Sequence, residues 1–190
     1  MKGDKKKIII LIVAIIIIAI AGGYYYISNQ DTILRGTTSQ VSLPNEYKLN
    51  EKAIASNGKT GMYFIEYGGD NSITMDNLKA IKENGNASGY ENYTESTANG
   101  YKIYEYSAKP ENLKTLKYGS STMWTEYPPM NLTSPGDNSR ITCDHYRSVY
   151  YVSPNGATIS QLIIYAPDAD TDLNTAEIND IINSIKPVEK

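Results

Sequence analysis

The chain has 190 residues, with 18 basic and 21 acidic side chains and a net charge of −3. Four of the basic residues and one of the acidic ones lie in the first seven positions, so the remainder carries about −6. That balance excludes a nucleic-acid partner, because phosphate contacts need clustered Lys and Arg. A single cysteine, Cys143, excludes an internal disulfide, so about 145 residues after the N-terminal segment must be held by their core alone.

Lys5-Lys6-Lys7 precede a charge-free stretch from residue 8 to residue 30. Ile8 to Ile27 has the length to cross a ~30 Å hydrocarbon core as a helix. The lysine asymmetry then predicts a single-pass cell-membrane protein: a basic cytoplasmic tail (1–7), a transmembrane anchor (8–27) and an extracytoplasmic remainder. Ala19-Ile20-Ala21 offers the alternative of a cleaved signal peptide. Apolar character continues past that site to Ile27, which favours an uncleaved anchor. Residues 28–42 are mostly polar and aperiodic, and they predict a short stalk.

From Leu43 the pattern is that of a sheet. Asn57-Gly58, Asn99-Gly100 and Asn155-Gly156 each stand between strand-like runs, and Asn-Gly supplies the positive φ that tight hairpins need. They predict pairing of 47–56 with 59–67, of 92–98 with 101–108, and of 147–154 with 157–166. A further strand is expected around Trp124, and a loop over 133–138. Two helices interrupt the strands. The first is expected at Met75 to Asn84, capped by Thr74 and stopped at Gly85. The second opens on Asn174 and Glu177 and carries Ile178, Ile181, Ile182 and Ile185 on one stripe before Pro187.

Seventeen tyrosines against one Phe and one Trp suit a strand-rich domain. Ser42-Leu43-Pro44-Asn45-Glu46-Tyr47 at the start resembles the opening strand of PsbP-like domains. Ile163-Ile164-Tyr165, an acidic loop and the helix Ile178 to Lys186 resemble their ending. The resemblance implies an α+β fold in which an antiparallel sheet is packed with helices, an α/β/α sandwich, here behind the transmembrane helix. It also implies a non-enzymatic accessory or binding role.

The candidate chemistry is sparse. Cys143-Asp144-His145 supplies two possible metal ligands or a Cys–His pair, but the chain holds no other Cys or His to complete a zinc site. Asp168, Asp170 and Asp172 have the spacing that opens a calcium loop and are the weak metal candidates. Leu173 stands where the turn glycine belongs, and Asn179 where the bidentate Glu belongs. No catalytic residue and no cofactor are expected. The chain reads as a membrane-anchored binding or accessory module for an unknown protein or small molecule. The alternatives are a subunit of a membrane-associated assembly and a carboxylate-based hydrolase.

Overall fold

In a computed structural model the described residues are 32–188, apart from 68–70, 113–115, 119–121, 125–131 and 134–139. The elements in order are β1 (Thr32–Arg35), β2 (Ser39–Leu43), β3 (Lys48–Leu49), β4 (Ala55–Ser56), β5 (Gly61–Tyr67) and α1 (Asn71–Asn84). Then follow β6 (Tyr90–Ala98), β7 (Tyr101–Ala108), β8 (Leu116–Tyr118), β9 (Thr122–Trp124), β10 (Leu132–Thr133) and β11 (Arg140–Ile141). The chain continues through β12 (His145–Val152), β13 (Ile159–Ala166), α2 (Ala176–Asn183) and β14 (Lys186–Pro187).

A seven-stranded antiparallel sheet, ordered β3-β4-β5-β13-β12-β7-β6, forms the body of the domain. All three Asn-Gly pairs lie in hairpins, but only the middle one is a two-residue turn. There Ala98 pairs with Tyr101, and Asn99 and Gly100 sit at φ +50° and +83°. The outer two are wider, since Ser56 pairs with Gly61 and Val152 with Ile159. Their asparagine side chains fold the loops. Asn57 Oδ1 accepts from the N–H groups of Lys59 and Thr60, and Asn155 Oδ1 accepts from that of Ala157.

Strand alternation sends side chains to two cores. On one face Met62, Ile103, Val149, Tyr151, Leu162 and Ile164 meet Leu34, Val41 and Leu43 together with the α2 isoleucines. On the other face Tyr63, Tyr106, Tyr146, Tyr150 and Ile163 meet Leu78 and Ile81 of α1. Eight tyrosines are buried among the described residues, so tyrosine does the packing that phenylalanine does elsewhere. The sheet is pressed close at Gly61, where a Cβ would lie 2.2 Å from the Tyr165 ring.

The expected α/β/α sandwich is corrected by this arrangement. Among the described residues there are fourteen strands and two α-helices, of 14 and 8 residues. One sheet face is covered by a second, three-stranded sheet (β1-β2-β14) with α2 beside it, not by a layer of helices. The reason lies in residues 32–42, the larger part of the 28–42 stretch read above as a stalk because it is polar. They fold into the β1–β2 hairpin, and Leu34, Val41 and Leu43 turn inward.

The anchor and the localisation built on it are corrected as well. Among the described residues no helix is long and apolar enough to cross a membrane. Residues 8–27 lie outside the described residues. The membrane and single-pass reading therefore has no support in the fold.

Both helices shift at their starts. α1 begins at Asn71, which places Thr74 inside the helix and buried rather than at the cap. In α2 the cap is Thr175, whose Oγ1 accepts from the N–H of Ile178, and not Asn174. The stripe of Ile178, Ile181 and Ile182 is buried as its spacing requires, and Ile185 follows it into the core. The expected loop over 133–138 falls almost wholly outside the described residues.

Candidate functional site: the clefts beside the acidic loop

β13 ends at Ala166 and α2 starts at Ala176, so nine residues make the loop between them. The loop is tied down from within and from below. Asp168 Oδ1 accepts from the backbone N–H and the hydroxyl of Thr171, at 3.0 and 2.8 Å. Asp172 Oδ1 accepts from the N–H of Asn174 at 2.8 Å. Leu173 is buried in the core.

Beneath the loop, β12 supplies two anchors. His145 Nε2 donates to the Thr171 carbonyl at 2.9 Å, since a carbonyl can only accept, and Nδ1 lies 3.1 Å from Asp144 Oδ2. Arg147 is 8% exposed. It donates twice to Glu105 Oε2 (2.6 and 2.9 Å), once to the Leu173 carbonyl (3.0 Å) and once to Asn179 Oδ1 (2.8 Å), which engages four of its five N–H donors. A buried charge is tolerated when it is paired and hydrogen-bonded in this way.

The fastened loop walls two clefts. The larger, of about 620 Å³, lies between the loop, the β2–β3 turn, the β4–β5 turn and the start of α2. Its lining brings Glu46, Asp168, Asp170, Asp172 and Glu177 together, with Lys59 the one basic residue. Tyr47 belongs to the same lining, buried, its hydroxyl 2.7 Å from Thr60 Oγ1. Burial raises its phenol above the ordinary value. The carboxyl of Glu177 is also raised, by burial first and then by the negative charge of Glu46. The smaller cleft, of about 340 Å³, lies on the other side of the loop against Asn92, Ser107, Lys109 and His145.

The three aspartates therefore line one cleft without forming a metal centre. Asp168 and Asp172 spend a carboxylate oxygen each on turn amides, and Leu173, which replaces the turn glycine, is drawn into the core. Among the described residues no group of three or more His, Cys, Asp or Glu is placed to hold a metal ion. Cys143 and His145 are also parted. Cys143 packs against the face that Tyr165 and Ile163 line, whereas His145 reaches to Thr171.

Sequence spacing gave no hint of the Glu46–Glu177 contact, since the two residues stand at opposite ends of the domain. The only local signal was the helix N-terminus at Glu177, where a carboxylate is welcome. Comparison of the chain with protein-family models, curated proteins and solved structures finds no match.

Proposed function

We propose that this domain is a non-catalytic binding or accessory module, and that the larger cleft receives a cationic group such as an amine or guanidinium. The observation that carries the reading is the lining of that cleft, which sets Glu46, Asp168, Asp170, Asp172 and Glu177 against one lysine, Lys59. The negative charge of Glu46 helps raise the carboxyl of Glu177, the sign of repulsion within the cleft. A cationic ligand relieves that repulsion, and an anionic one adds to it. The volume lies in the range of small-ligand sites. The loop wall is pre-formed, so binding does not have to order it.

Calorimetric titration with spermidine and with a short arginine peptide, at low ionic strength, tests this reading. Both should bind, more weakly as salt rises. Replacing Glu46 and Glu177 together with Gln should weaken binding at least about tenfold, the factor that ~1.4 kcal/mol gives. Replacing the exposed Asp76 on α1 with Asn should leave it unchanged. Heats that respond equally to both substitutions would mean diffuse attraction and no site.

A further inference from the structure

The two edges of the seven-stranded sheet are unlike. β3 is two residues long and begins with Lys48, so it offers little to pair with. β6 has nine residues, and among the described residues only β7 pairs with it. A bulge between Glu91 and Thr94, with Asn92 at φ +57°, disturbs its first half. From Thr94 to Ala98 the pairing is regular, and the run contains neither Pro nor Lys. Thr94, Glu95, Ser96 and Thr97 are all exposed. Side chains of both parities therefore stand in solvent, so the strand projects beyond the layers that cover the two sheet faces.

Charge selects the occupant. Glu95 lies on the α1 side of the sheet, where its Oε1 accepts from Lys82 Nζ at 2.8 Å and from the Tyr93 hydroxyl at 3.1 Å. Lys102 on β7 pairs with Thr97 and shares that face. Glu95, Ser96, Thr97 and Lys102 line one trough along this edge. We propose that β6 pairs antiparallel with β6 of a second copy of this chain, about a two-fold axis at Ser96. In that register Ser96 faces the partner's Ser96, Glu95 faces the partner's Thr97, and Thr94 faces the partner's Ala98. No like charges oppose one another. Each Glu95 then lies in one row with the partner's Thr97 and, one strand further, the partner's Lys102, within reach of a long side chain, and the symmetry repeats the row. The bulge and the Asn99-Gly100 turn end the shared ladder after five residues. The product is one continuous sheet of fourteen strands. It buries an unpaired edge that would otherwise be open to indiscriminate pairing.

Sedimentation of the full chain over a range of concentrations tests the pairing. The expected result is a concentration-dependent monomer–dimer equilibrium. Ser96→Lys sets two ammonium groups against each other at the axis, and Lys102→Glu turns both Glu95 rows repulsive. Ser96→Lys should raise the dimer Kd by about tenfold, and Lys102→Glu, which reaches the partner's Glu95 across Thr97 in two symmetric rows, by about fivefold. Both sites are exposed, so the thermal midpoint of each variant should match the parent. The double exchange Glu95→Lys with Lys102→Glu, made in a Lys82→Glu background so that the ion pair within each copy is kept, should return the Kd to within about threefold of the parent. A chain that stays monomeric throughout overturns the proposal. So does an association indifferent to Ser96→Lys, or a double exchange that weakens pairing as much as Lys102→Glu alone.

Discussion

Gln40 is fully buried on β2, and neither its carboxamide oxygen nor its nitrogen has a hydrogen-bond partner. A buried polar group left in that state costs about 1–3 kcal/mol. Arg147 shows the contrast: it too is buried, at 8% exposure, yet its guanidinium meets four acceptors. Gln40→Met keeps the length of the side chain and removes both orphaned atoms. It should raise the free energy of unfolding by about 1–3 kcal/mol, read as a higher urea midpoint at unchanged slope. A lower midpoint would show that the carboxamide meets a need the static contacts do not reveal.

At the scale of elements, α2 is held by its stripe. Ile181 is 2% exposed, and Ala there should cost about 2–5 kcal/mol, whereas Asp180→Ala on the solvent side should cost less than about 0.5 kcal/mol. Equal losses at the two positions, measured by thermal or urea unfolding, would mean that the helix does not cover the sheet. This stripe and the later two hairpins were legible in the chain, because each is written within a few residues: a 3.6-residue period in one case, an Asn-Gly pair in the other. Of the first expected pairing only Ala55 and Ser56 meet β5, and Lys48–Leu49 fold back onto them instead. The β1–β2 hairpin was not. Its inward residues are Leu34, Val41 and Leu43, set among Thr, Ser, Gln and Gly, so composition speaks for a linker and only the partner sheet makes it a strand pair. The acidic loop was legible as a loop but not as a wall, because Arg147 and His145 that fasten it come from β12. The Glu46–Glu177 contact was invisible for the same reason. It joins residues that meet only after the whole sheet has closed.

For the molecule as a whole, stability rests on two cores back to back across one sheet, without a disulfide. β13 is central to both, and it pairs with β5 only after α1, β6, β7 and β12 have intervened in the chain. Such long-range closure implies slow folding relative to helical domains of the same size. The tyrosine content of those cores also sets an upper limit on the pH the fold withstands. Burial holds the phenols of Tyr151, Tyr47 and Tyr165 above the ordinary value of 10.0. The folded state thus keeps protons that the unfolded chain releases, so the stability these residues contribute is complete below that value and drains away as pH rises beyond it. An alkaline titration can be followed by phenolate absorbance. The buried set should appear together, in one steep step that coincides with loss of the circular-dichroism signal. A single smooth titration of all 17 tyrosines would contradict the packing described. Strong base thus becomes a denaturant that enters through hydroxyl groups the fold has kept dry.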